Sequence, residues 1–204
     1  MILANMSTQE LRTGVPLVSL KKPAVAALLY TAALAPSAWG APASFETCTD
    51  YHCDILKPVT LRQDQWEQVR QQFRGVGNAV TEREQIRQAI ALLEELVGEQ
   101  AGTSGDLEKN QGDGSHPGQL DCISESLNTT TYLRLIEEDN LLKWHLVDER
   151  QQRDEGLFGW GTHWTAVIQE HGSGQQFAVD SWVDKNGKPP LVQKIENWIE
   201  KSPE

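Results

Sequence analysis

Apolar residues recur along this chain with two periods, and the change of period divides it. Between residues 61 and 74, Leu61, Trp66, Val69 and Phe73 fall at helical spacing. Gly75-Val76-Gly77-Asn78 interrupts them. Ile86, Ile90, Leu93 and Val97 then form one apolar stripe, which predicts an amphipathic helix over residues 82–97. Thr81 and Glu84 read as its capping box, with Thr81 as N-cap, and Gly98 and Gly102 as its end. A third helix is expected over 122–138, where Leu127, Leu133 and Ile136 have compatible spacing. Its Asn128-Thr129-Thr130-Thr131 run is poor in helix interiors, and burial on both sides would offset that.

After residue 140 the period shortens. Residues 141–148, 163–169 and 177–183 read as strands, with His171-Gly172-Ser173-Gly174 as a hairpin turn. Asn186-Gly187-Lys188-Pro189-Pro190 is a second turn, and residues 191–199 close the chain as a strand or short helix. Residues 44–60 read as an irregular tethered arm, and 101–119 and 149–161 as loops. Helices followed by an antiparallel sheet make the expected fold class α+β.

The N-terminal region departs from this pattern. Residues 23–35 are uncharged and mostly apolar, Lys21 and Lys22 precede them, and small residues follow at 38–43. That is the three-part layout of a secretory signal peptide, too short for a spanning helix of about 20 residues. The expected organisation is a signal peptide over 1–43 and one domain over 44–204, periplasmic or secreted, with no membrane span. The net charge is −11. Removing Arg12, Lys21, Lys22 and Glu10 with the leader leaves 15 basic and 28 acidic residues, a net −13. Such a surface repels phosphate backbones, so nucleic acid is not an expected partner.

Three cysteines remain to be placed. Cys48 and Cys53 lie five residues apart, and in an exported chain they are expected to form a disulfide. Two cysteines fall short of the four ligands of structural zinc. Cys122 is left over, the usual flag for a reactive thiol. Asp121 is a good N-cap, so Cys122 falls in the first helical turn, where the helix dipole favours a thiolate by about 0.3–1 kcal/mol. The Asp121 carboxylate opposes that unless it points at backbone amides. An imidazolium must supply the rest.

His163 and Asp180 are the candidates to complete a site. A two-residue loop at His171-Gly172 places them directly opposite each other; a loop at Gly172-Ser173 makes them diagonal neighbours. In either register they share a face, and a one-residue slip would part them. A thiol, an imidazole and a carboxylate suit a nucleophile, its base and the group that orients the base. His145, beside Trp144, is a rival base; with His163 and Asp180 it could also hold zinc, though no His-x-x-x-His spacing supports that. His52 and His116 read as exposed, and His171 lies in the hairpin turn. Trp164 and Trp182 are expected to face away from their neighbours His163 and Asp180, and Trp160 to border a cleft. Glu125, on the helix face of Cys122, is a candidate cap or cation ligand. Asp106 and Asp113 offer oxygens for calcium, in an order unlike an EF-hand loop.

Asp-Cys-Ile at 121–123, His-Trp-Thr-Ala-Val at 163–167 and Val-Asp-Ser-Trp at 179–182 resemble the transglutaminase-like branch of the papain-like cysteine enzymes, most of all the bacterial transglutaminase-like cysteine proteinases. The similarity covers roughly residues 118–185. It implies a cysteine-bearing helix packed on an antiparallel sheet, with Cys122 as nucleophile, His163 as base and then acid, and Asp180 as orienter. The Cys122 backbone amide would be one oxyanion donor, the substrate a protein or peptide, and no cofactor is implied. Those proteinases carry a more acidic, calcium-linked run after the cysteine; here Ile123-Ser124-Glu125 follows. The expected activity is hydrolysis of a peptide or amide bond outside the cytoplasm. The alternatives are acyl transfer to an amine and a non-catalytic binding or assembly module.

Overall fold

Six strands and four α-helices build the described part of the chain, which in this computed structural model comprises residues 40–42, 44–111, 117–154 and 162–201. The expected signal peptide, His116, Asp113 and Trp160 lie outside it, apart from residues 40–42 of the leader. The order is β1 (Phe45–Cys48), β2 (Leu56–Val59), α1 (Gln63–Gln72), α2 (Ala79–Ala101), α3 (Cys122–Glu138), β3 (His145–Asp154), β4 (Thr162–Glu170), β5 (Gln176–Asp180), β6 (Leu191–Lys194) and α4 (Ile195–Glu200). The fold class is α+β: β3-β4-β5-β6 form one antiparallel sheet, and β1-β2 a separate hairpin.

The apolar stripe of α2 does what its spacing predicts. Ile86, Ile90 and Leu93 are fully buried against Trp66 and Val69 of α1, Leu133 and Ile136 of α3, and Ala166 and Ile168 of β4. The alternate residues Val167 and Ala178 point to the other face of the sheet, where Ile195 and Trp198 cover them. Helices on both faces explain why the centres of β4 and β5 are unbroken apolar runs.

Several expectations need correction. The N-cap of α2 is Asn78, not Thr81: Asn78 accepts the Thr81 N–H at 2.9 Å, and Thr81 Oγ1 accepts the Asn78 N–H at 3.2 Å. Asparagine ranks among the best caps and adds three residues to the helix. Gly98 does not end α2. A Cβ there would sit 3.1 Å from both Ser104 N and Oγ, so this glycine permits a close approach, and the helix ends at Gly102 with φ 88°. Residues 44–60 are not irregular: β1 and β2 pair from Phe45↔Val59 to Cys48↔Leu56, with Pro58 tolerated in a two-stranded ribbon. β3 starts four residues late and runs on to Asp154, past a bulge between Asp148 and Gln151. As an outer strand it needs no apolar alternation there, and charges protect its edge. The threonines of α3 are accommodated: Thr129 is fully buried, and Thr130 and Thr131 donate to the carbonyls four residues back.

Candidate active site

Cys122 begins α3, and the residues around it fix the start of that helix. Asp121 Oδ1 accepts the Ser124 N–H at 2.9 Å. Its Oδ2 accepts the His52 N–H at 3.0 Å and lies 3.2 Å from His52 Nδ1. The carboxylate is therefore spent on amides and an imidazole rather than aimed at the thiol.

His52 belongs to a small loop closed by the Cys48–Cys53 disulfide. Cys53 N–H donates to Ser124 Oγ at 2.8 Å, and Ser124 Oγ donates to the Asp50 carbonyl at 2.6 Å. The Asn128 side chain accepts the Cys48 N–H and donates to the Cys48 carbonyl. Asp121, Ser124 and Asn128 thus form a polar stripe at helical spacing that grips the loop. The sequence reading missed this role of Ser124 and Asn128, although the spacing was there to see.

The β4–β5 ladder pairs Ala166 with Val179 and Gln169 with Gln176, the diagonal of the two registers considered. His163 Nε2 meets Asp180 Oδ2 at 2.6 Å, with both side chains 1% exposed. The same Oδ2 accepts Trp198 Nε1–H at 2.8 Å. An ionised carboxylate only accepts, so the imidazole proton sits on Nε2. His163 Nδ1 has no hydrogen-bond partner among the described residues. Trp182 and Trp198 lie against the ring, with centroids at 4.6 and 5.4 Å. Trp182 does not face away as expected: it lies two residues after Asp180, a spacing that shares a face in extended chain, and it packs on His163 just past the end of β5. Trp198 was not foreseen; nothing in sequence spacing links a C-terminal aromatic to residue 180. Trp164 does face outward, under the Arg150 guanidinium at 4.8 Å.

The thiol stands one residue from His163: Cys122 Sγ donates to the Thr162 carbonyl at 3.7 Å. Burial alone would lower the pKa of His163 and is the largest single effect. The Asp180 hydrogen bond, then the interactions with Cys122, outweigh it and raise the pKa to about 9. The structure thus brings Cys122, His163 and Asp180 together, at the mouth of α3 and the start of β4.

His145 is not part of this set. It pairs with Glu170 at one end of the β3–β4 ladder, whereas His163 pairs with Arg153 near the other. Its Nδ1 meets Glu82 Oε1 at 3.0 Å and its Nε2 meets Arg83 Nη1 at 3.1 Å. Arginine can only donate, so Nε2 accepts and the proton is on Nδ1. Both nitrogens are occupied, which rules out the rival base and the zinc set. Among the described residues no group of three His, Cys, Asp or Glu is arranged to hold a metal ion.

Glu125 is neither a cap nor exposed to solvent. Its Oε2 accepts Ser181 Oγ–H at 2.8 Å, next to Asp180, and Ser181 also meets Thr129 Oγ1 at 2.8 Å. Burial, then the nearby Glu94 and Asp106 carboxylates, push its pKa well above the usual range. Glu94 is raised likewise, first by burial. A carboxyl with a raised folded-state pKa contributes fully below the unfolded value, and the contribution is lost as pH rises toward the folded value. The denaturation midpoint should therefore fall as pH rises from about 4.5. Glu125→Gln, which mimics the protonated acid, should be at least as stable as wild type at pH 7 and flatten that slope. Urea titrations at several pH values check this; an unchanged slope refutes it.

No helix among the described residues is long and apolar enough to cross a membrane. No family model matches the chain, and comparison with curated proteins and with solved structures finds no match.

Proposed function

We propose that this protein is an exported thiol hydrolase that cleaves a peptide or amide bond through Cys122, His163 and Asp180. The observation that carries the reading is the buried imidazole. One nitrogen is committed to a carboxylate at 2.6 Å, the other has no hydrogen-bond partner among the described residues, and a free thiol borders it. Structural histidines satisfy both nitrogens, as His145 does.

In this reading His163 Nδ1 takes the Cys122 proton, and Asp180 stabilises the imidazolium. The thiolate attacks the carbonyl carbon and the carbonyl oxygen becomes an oxyanion. The Cys122 backbone N–H, in the first turn of α3 with no intrahelical acceptor, is a donor for it. The imidazolium returns its proton to the leaving amine, giving an acyl-enzyme. Water, deprotonated by the imidazole, then releases the acid. The Cys48–Cys53 disulfide supports an oxidising compartment.

The test is alkylation of Cys122 by iodoacetamide at pH 7 in wild type and His163→Ala. Wild type should react at least about tenfold faster, the equivalent of one pK unit of thiolate stabilisation. Equal rates would make Cys122 a structural residue and favour the non-catalytic binding module.

A further inference from the structure

Arg70, Arg83 and Arg134 each meet a carboxylate at 2.7–2.9 Å. Arg150, in the bulge of β3, meets none within ion-pair distance among the described residues. Its Nη1 donates instead to the neutral Ser126 Oγ at 2.9 Å, and its guanidinium lies 4.8 Å from the centroid of the Trp164 ring. The Ser126 contact uses Nη1, so the donors at Nη2 and Nε remain. Arg150 is half-buried. Burial lowers its pKa and outweighs the opposing charges of Glu149 and Cys122. A cation held in this way lacks the compensation that a carboxylate would bring.

Both partners tie Arg150 to the thiol. Ser126 follows Cys122 by four residues on α3, about 6 Å along the helix and on nearly the same face. Trp164 shares a face of β4 with Thr162, whose carbonyl accepts the Cys122 thiol. The guanidinium therefore stands about one helical turn from the nucleophile, away from the first-turn amide that would hold the oxyanion. An extended peptide advances about 3.3–3.6 Å per residue, so the offset suits a group one or two residues from the reacting carbonyl. The chain's net charge of −11 repels anions in general, which makes a cation at this place the feature that would admit one.

We propose that Arg150 binds a carboxylate of the peptide substrate, one or two residues from the bond that Cys122 attacks. The substrate class of the thiol hydrolase is then a peptide that is acidic beside its scissile amide. A planar guanidinium with donors left on two nitrogens suits a bidentate grip on that group. The carboxylate belongs either to an acidic side chain or to the C-terminus of the peptide. The inference rests on the hydrolase reading for its meaning, but binding at Arg150 can be measured without turnover.

The test is the rate at which the free thiol of Cys122 is alkylated, followed by protein mass. The probes are N-chloroacetyl-glutamine amide, N-chloroacetyl-glutamate amide and N-chloroacetyl-glutamine with a free carboxylate. In each the sulfur displaces chloride, so the thiol's own reactivity cancels from the ratio of rates. Wild type should take one of the anionic probes about tenfold faster than the neutral one, and added salt should narrow the gap. Preference for the glutamate amide identifies a side-chain carboxylate, and preference for the free acid a C-terminal one. Arg150→Gln should bring the ratio to about one or below, and Arg150→Lys should keep only part of it. If one variant does not fold, the other carries the comparison. No preference in wild type, or a preference kept in full by the folded variants, would overturn the proposal. So would a variant that slows all the probes alike, which would place Arg150 on the thiolate instead. Slow labelling by every probe with the ratio intact counts against the hydrolase reading alone. Fast labelling without preference counts against this proposal alone.

Discussion

Asp180→Ala should slow alkylation of Cys122 at pH 7 by about tenfold or more and destabilise the fold by about 2–4 kcal/mol. The two effects have separate causes. Alanine removes the acceptor shared by His163 Nε2 and Trp198 Nε1, and both donors are buried. Each buried donor left without a partner costs about 1–3 kcal/mol. The kinetic loss follows from the imidazole, which loses both its orienting contact and the charge that stabilises its protonated form. Asp180→Asn separates these terms, because an amide oxygen still accepts from Trp198 while the charge is gone. The pKa of His163, raised to about 9 in the intact site, should then fall. Under the proposed mechanism the imidazolium is the acid that protonates the leaving amine. The alkaline limb of a turnover profile should therefore lie near pH 9 in wild type and lower in Asp180→Asn. A raised imidazole pKa also contributes stability that is full below about pH 6.5 and lost as pH rises through about 9. That segment of the stability profile should flatten in Asp180→Asn; an unchanged profile would remove Asp180 from its orienting role.

Glu82→Ala should be the most destabilising single change of a polar residue, at about 4 kcal/mol or more. Burial alone would raise the carboxyl's pKa and is its largest influence. The His145 contact and the backbone N–H groups of Lys143 and Trp144 together hold it below the usual range instead. Truncation strips an acceptor from three consecutive backbone N–H groups and one imidazole N–H at the start of β3. A typical domain has only about 5–15 kcal/mol of stability to lose. Urea denaturation reads the change, and a loss below about 1 kcal/mol would show that water replaces the carboxylate without penalty. Folded Glu82→Ala should still alkylate at Cys122 like wild type, because His145 and His163 sit toward opposite ends of the β3–β4 ladder.

Legibility in the sequence followed the physics of each element. The stripe Ile86, Ile90, Leu93 and Val97 was readable because an isolated amphipathic face has one interpretation. The shared face of His163 and Asp180 was readable because both registers under consideration preserved it. The extension of β3 through Glu149 to Asp154 was not, since an outer strand with solvent beside it carries no apolar alternation. The end of β5 at Asp180 was also hidden. Val179-Asp180-Ser181-Trp182 continues a strand-like pattern, and only the tertiary contacts of Trp182, including Nε1–H to the Asn110 carbonyl at 2.8 Å, turn the chain away. Trp198 enters the site from α4 by packing, which no local pattern encodes.

The loop that grips α3 also decides which sulfur stays free during oxidative folding. Cys48 and Cys53 are separated by five residues, whereas Cys122 is 69 residues beyond Cys53. Closing the longer loop costs roughly 2 kcal/mol more chain entropy, a bias of about thirtyfold or more toward the local pair. Oxidation of the nascent chain should therefore consume the two N-terminal thiols first and leave Cys122 reduced. The local pair acts as a sink for oxidising equivalents that would otherwise block the third thiol. A chain lacking either loop cysteine would expose its remaining partner to Cys122 and invite the long-range mispairing that the short spacing prevents.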